Sequence, residues 1–237
     1  MGTSKGYTPP TGYLWSDSKR AVTNMVRSGF TPSSVGKAVS SFAKAMGSGG
    51  KGHSTAVANI GAKAVSFIEA VRQYGFSEAL ERVGLSHLRN LPAEKILYGL
   101  LEYFYESGNS LYESVAQQSV SELMRELLAG AENEEDYNNI LGSIDKGEFI
   151  REFIVKFIQN CFFTNFAEKL MAMFDKFDKY EIAEESVKTY IRISIESEFS
   201  IEDIQKIDWN GTQGRQIIEE KCNKAFEILS VWSETLV

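Results

Sequence analysis

Apolar residues recur at spacings of three and four along most of this chain, the period of a helix that buries one face. Ala21, Val22, Met25 and Val26 form the first such stripe, with Ser16 or Asp17 placed to cap it and Gly29 to stop it. Thr31 and Pro32 are an N-cap and first-turn pair for a second helix, whose face is Val35, Val39, Phe42 and Met46 and which ends at Gly47. A third starts at Ser54, carries Val57, Ile60, Ala64, Phe67, Ile68 and Val71, and stops before Gly75. Phe76 to Val83 makes a short helix closed by Gly84. Pro92 opens another, with Ile96, Leu97, Leu100, Leu101 and Phe104 along it and Gly108 past its end. Ser110 with Glu113 spells a capping box ahead of Val115, Val120, Leu123, Leu127 and Leu128, with Gly130 as terminator.

Residues 147–178 are the most apolar stretch, with Phe149, Phe153, Phe157, Phe162, Phe166, Phe174 and Phe177 among them. The spacing predicts a long central helix, either continuous or interrupted near Cys161-Phe162-Phe163. Ile182, Val187, Ile191 and Ile195 predict a further helix. Ile191, Ile193 and Ile195 also alternate like a strand, but acidic residues surround the run and no pairing strand is visible. Ser200 and Asp203 cap a short turn, and Gln213 to Leu236 closes the chain as a helix bearing Ile217, Ile218, Cys222, Phe226, Leu229 and Trp232. The predicted fold is all-α: a multi-helix globular bundle with a flexible N-terminal tail and a basic two-helix N-terminal segment.

Composition refines that picture. With 237 residues, 43% apolar and 24% charged, the chain can bury a sizeable core and is not disordered throughout. Glycine, proline and small polar residues fill the start, which predicts a mobile tail over 1–15. A basic helical segment follows over 16–46, then the Gly/Ser-rich linker 47–53 and an acidic helical domain over 54–237. Charge divides along the same line. Residues 1–55 hold seven basic residues against Asp17 alone, whereas the remainder holds eighteen basic and thirty-one acidic residues. Such asymmetry points to an interaction surface; the plainer reading is an arm that folds back on its own acidic body.

Catalytic signatures are missing. The run around Gly50-Lys51 departs twice from a phosphate-binding loop, with Ala45 at the first glycine and Gly52 after the lysine, and no strand precedes it. His53 and His87 stand apart from any cysteine or carboxylate at metal-ligand spacing, which predicts a loop residue and a helix-end residue and no metal site. Cys161 and Cys222 sit in apolar helical patterns and act as small core hydrophobes. Paired carboxylates are too plentiful to single any out. Asn210-Gly211-Thr212 matches a glycosylation sequon but reads better as a turn before the last helix. No signal-peptide core and no membrane-length apolar run is present, so the expected compartment is the cytoplasm. The expectation is a protein that is not an enzyme and needs no cofactor.

Met1-Gly2 has chemical content. Methionine removal ahead of a small residue leaves an unhindered α-amine with a pKa near 8, partly neutral and nucleophilic at cellular pH. The myristoylation pattern fails because Gly6 stands where Ser or Thr is required. Six runs together make the chain resemble the QatB family, a component of the bacterial Qat anti-phage defence system. They are Met1-Gly2-Thr3-Ser4, Trp15-Ser16-Asp17, Thr31-Pro32-Ser33, the Gly/Ser linker, Gly84-Leu85-Ser86-His87-Leu88, and Ile207-Asp208-Trp209-Asn210-Gly211-Thr212. The resemblance implies a non-enzymatic partner and protein substrate of a QueC-like enzyme, QatC, which conjugates a 7-deazaguanine to the exposed N-terminal glycine, here Gly2. It also implies two further partners, a large ATPase and a TatD-like nuclease. Thr3, Ser4, Trp15, Lys19, Arg20 and Arg27 are the expected partner-binding residues, on a tail and on amphipathic helices whose apolar faces have no obvious partner within the chain. The alternatives are a nucleic-acid-binding adaptor using the basic segment, and a self-assembling helical scaffold.

Overall fold

A computed structural model describes residues 11–50, 52–105, 110–174, 177–197, 207–209 and 211–231, with the side chains of 177 and 178 left aside. Among them run ten α-helices: α1 (Tyr13–Arg27), α2 (Pro32–Ser48), α3 (Gly52–Tyr74), α4 (Phe76–Arg82), α5 (Ala93–Phe104), α6 (Leu111–Leu127), α7 (Glu134–Ser143), α8 (Lys146–Met173), α9 (Phe177–Glu196) and α10 (Thr212–Val231). A single 3-10 turn covers Ser86–Leu88, and no strand is found among the described residues. The all-α expectation holds, including helix over strand for Ile191 and Ile195, which are both fully buried, with Ile193 on the outer face.

Local chemistry starts α2 and α6 where the sequence says it should, whereas α1 begins ahead of the expected caps Ser16 and Asp17 and α3 ahead of Ser54. The Thr31 Oγ1 accepts from the Ser34 amide at 3.4 Å, with Pro32 in the first turn. Ser110 and Glu113 form the reciprocal capping box of α6, at 3.2 and 3.0 Å. Asn133 and Asp136 make a second one for α7.

Helices α3 and α8 are the spine. α8 buries apolar residues in every direction, from Phe149 to Leu170, as a helix enclosed on all sides must. It runs unbroken through Cys161-Phe162-Phe163, the continuous of the two forms the sequence allowed. No proline or internal glycine follows Gly147 within it, so nothing removes a backbone hydrogen bond or frees the backbone there. α3 packs on α10, α6, α4, α7 and α8. A short ion pair between Lys146 and Glu69 (2.7 Å) ties its far half to the start of α8, and Arg72 donates to the carbonyl oxygens of Gly142 (3.1 Å) and Ile144 (2.5 Å). Cys161 and Cys222 are buried free thiols, as expected; burial pushes both up in pKa and keeps them protonated.

Three expectations about the first fifty residues need correction. α1 begins at Tyr13, so Tyr13, Leu14 and Trp15 are helical rather than tail; Gly12 precedes it with a backbone carbonyl that takes the Ser16 amide at 3.0 Å. α2 continues to Ser48 and α3 begins at Gly52, which shortens the expected linker and moves His53 from loop into helix. Most consequentially, the apolar faces of α1 and α2 do have partners within the chain. Val22, Met25, Val39 and Phe42 have no exposed surface and belong to the same core cluster as α8 and α10. Phe42 stands at its centre, with ring centroids 5.3 Å from Phe162, 5.9 Å from Phe166 and 6.3 Å from Phe226. Gly108, Ser200, Asp203, Asn210, Trp232 and Leu236, given roles above, lie outside the described residues.

Candidate functional site

The first turn of α1, the last turn of α2, the first turn of α3 and the last turns of α10 meet at one corner and leave a cleft of about 660 Å³. Leu14, Ala43 and Phe226 give it apolar walls; Lys44, Asn223, Glu227 and Ser230 add polar groups, and Gly47, Gly50 and His53 complete the lining. Gly50 carries φ +87°, a left-handed conformation in which a Cβ is strained, so glycine fits the sharp reversal from α2 to α3. Ser40 Oγ donates to the Ser230 carbonyl at 2.8 Å. That bond satisfies one of the carbonyls left open at the end of α10 and ties α10 to α2.

His53 is 4% exposed and meets the Phe226 ring edge to face, centroids 4.8 Å apart, with Tyr112 at 6.0 Å. Removal from water lowers its pKa below 6.5, partly offset by a hydrogen bond to the Gly50 backbone. The imidazole is therefore neutral at pH 7. It is a packing group at the start of α3 rather than the loop residue expected from the sequence. Among the described residues no group of three or more His, Cys, Asp or Glu is arranged to hold a metal ion.

Two other depressions are joints of the fold. A cleft of about 610 Å³ beside α4 and α7 contains Arg89 and Glu134, but Arg89 donates to the Ser77 carbonyl and Glu81, and Glu134 accepts from Ser77 Oγ and the Asn90 amide. A smaller one, about 320 Å³, is lined by Lys63, Tyr103, Trp209 and Arg215, and Lys63 lies over the Tyr103 ring at 4.4 Å.

The expected partner-binding residues separate into three groups. Gly2, Thr3 and Ser4 lie outside the described residues. Trp15 is 7% exposed, packed against Phe42 at 6.2 Å and Phe166 at 6.4 Å, so its ring anchors α1 to the core and offers a partner almost no surface. Lys19 is half-buried, while Arg20 and Arg27 lie along the solvent face of α1 with Tyr13, Asp17 and Asn24. Arg20 pairs with Asp17 at 3.1 Å, an exposed contact of little energetic weight. Lys37 and Lys44 are exposed on α2. The cleft itself was missed in the sequence because four separate helices supply it, and its two charged lining residues, Lys44 and Glu227, belong to no motif.

Fold and cleft define an all-helical protein with a cleft at the corner where its first and last described helices converge, flanked by a basic hairpin of helices. No helix among the described residues is long and apolar enough to cross a membrane. The family described as Qat anti-phage system associated protein QatB matches residues 40–229, most of the 237-residue chain. The chain belongs to the QatB family and is thus a component of the Qat anti-phage system. The matched span begins inside α2, leaving Gly2 and all of α1 ahead of it. No curated protein and no solved structure matches the chain.

Proposed function

We propose that the chain is a non-enzymatic, cytoplasmic substrate and binding partner of the QueC-like enzyme QatC, which joins a 7-deazaguanine to the Gly2 amine after Met1 is removed. Membership of the QatB family carries this reading. The chemistry suits the start of the chain, where Gly2, Thr3 and Ser4 offer little steric obstruction. The neutral amine attacks the carbonyl of an adenylated carboxylate on the nucleobase. A C–N bond forms, the C–O bond to AMP breaks, AMP leaves with the electron pair, and the nitrogen releases a proton. Lys19, Arg20 and Arg27 then serve as docking contacts on the polar side of α1, with Trp15 fixing that helix in place. The ATPase and the TatD-like nuclease are the further partners. Intact-mass analysis after co-expression with QatC is expected to show loss of Met1 plus a nucleobase-sized adduct on Gly2; an unmodified mass overturns the reading.

Exposed Arg20, Arg27, Lys37 and Lys44 support a second reading, a nucleic-acid-binding adaptor. Retention on nucleic acid would then fall steeply with salt through counterion release and vanish in the triple variant Lys19→Glu, Arg20→Glu, Arg27→Glu. The conjugation reading predicts weak, non-specific retention in the native chain and, because the same three residues are its docking contacts, a slowed but still possible Gly2 reaction in that variant.

A further inference from the structure

We propose that the joint between α3 and the start of α10 binds a phosphate group carried by a small molecule, with Trp209, Asn59 and Arg215 as its donors. The inference is independent of the reading of Gly2 and gives the chain a ligand of its own.

One buried proton starts the argument. Trp209 is 4% exposed, yet its indole Nε1–H makes no hydrogen bond to any described residue. A buried indole N–H ordinarily finds a partner, because taking it out of water without one is costly. The placement of the ring says from where that partner has to come. Its Cε3 edge lies on α10, where a Cβ added at Gly214 would approach to 2.9 Å, and Nε1 is on the opposite long edge of an indole. The proton is therefore turned from α10 toward the cleft of about 320 Å³ that Trp209 lines together with Asn59, Ala62 and Lys63 of α3.

Two further donors reach the same cleft. Asn59, half-buried on α3, and Arg215, exposed in the first turn of α10, make no side-chain hydrogen bond or ion pair among the described residues. Gly211 places the start of α10 in the lining as well, and a helix start carries unpaired amide protons and partial positive charge. No acidic side chain in the first turn offsets that charge. Asp208 lies against Gly211, but it is exposed, holds other contacts and is not part of the lining. Lys63 and Ser66 also have contacts of their own and are given no role beyond lining.

The chemistry of these groups selects the ligand. Trp209 and Arg215 can only donate, and Asn59 can turn its NH2 inward, so the ligand is rich in acceptors and negatively charged. Indole, amide and guanidinium come from α3, from the segment ahead of α10 and from α10 itself. Donors arriving from several directions suit the oxygens of a phosphate better than the two of a carboxylate, and the guanidinium fork engages two of them at once. A helix start is a recurrent place for such a group. The volume falls at the low end of the ~300–1,000 Å³ range of ligand clefts, room for a phosphate with a small organic remainder.

The test is an NMR titration of the full, nitrogen-15-labelled chain with inorganic phosphate near pH 7 at constant ionic strength. The chain has three tryptophans, and Trp209→Phe assigns the indole signal of interest by removing it. In the native chain that signal is expected to move saturably, with half-saturation at about the millimolar level or below, while the other indole signals stay in place. Acetate at the same ionic strength should leave it unmoved. Arg215→Gln, an exposed change, should raise the phosphate Kd roughly tenfold or more. Arg215→Lys, which keeps the charge and loses the fork, should fall between the two. Absence of saturable movement, an equal response to acetate, or an unchanged Kd in Arg215→Gln overturns the proposal. The titration needs neither Met1 removal nor a partner enzyme, so its outcome and that of the co-expression mass test stand apart.

Discussion

At His53 an ionisable ring sits where only its uncharged form is well accommodated. Burial against Phe226 lowers its pKa below 6.5, so over the interval between the folded value and 6.5 the unfolded chain takes up a proton that the folded chain does not. Stability therefore falls as pH drops below about 6.5. Thermal melts between pH 7 and pH 5 are expected to show a falling midpoint, and His53→Phe should flatten that slope. Glu69 responds in a lower window. The hydrogen bond from Lys146 holds its carboxyl below 4.5, so its contribution is present above about 4.5 and is lost as pH falls through the lower, folded value. Glu69→Gln should lower the midpoint by a constant amount between pH 5 and 7, leaving the slope there unchanged, and should remove this group's part of the acid limb in the same melts.

Between helices, small residues decide how closely the backbones approach. Gly36 on α2 faces Tyr190 on α9, and a Cβ there would lie 2.7 Å from the tyrosine oxygen and 2.9 Å from the ring carbon that bears it. Gly36→Ala is expected to destabilise by about 1–3 kcal/mol, the range for overpacking, despite the better helix propensity of alanine. Gly47→Ala, near the end of the same helix with open space around it, should instead stabilise by roughly 0.5–1 kcal/mol. Denaturant melts of the pair separate the two effects. Elements of this kind were largely legible in the sequence, because Thr31, Ser110 and the stripe Val35–Val39–Phe42–Met46 act through local chemistry and period. What period alone did not give was the continuity of α8. Its aromatic residues at mixed spacing look like a break until the surrounding helices show that every face is covered. The cleft was hidden for a related reason, since Leu14, His53 and Phe226 are distant in sequence and carry no shared motif.

For the molecule as a whole, the basic beginning of the chain is covalently continuous with the acidic remainder and also shares its core. Phe42 contacts rings on both α8 and α10, and burying such a side chain contributes about 1.5–3 kcal/mol. A chain starting at residue 52 would expose Phe162, Phe166 and Phe226 where α1 and α2 now cover them. It is expected to lose cooperative unfolding in circular dichroism melts and to aggregate; a sharp transition in that fragment would establish the stretch after 53 as an independent folding unit. That measurement decides the division of the chain at 47–53.

Leu14 and Ser230 line the same corner, and the hydroxyl of Ser40 clasps the end of α10 there. Such geometry brings the start of α1 beside the end of α10, so the helical body lends itself to circular permutation, with a bridge joining those two helices and fresh termini opened between α5 and α6. A permuted molecule of that design keeps the helical body while giving up the glycine amine. It thereby distinguishes what the defence system requires of the shape from what it requires of one nitrogen atom.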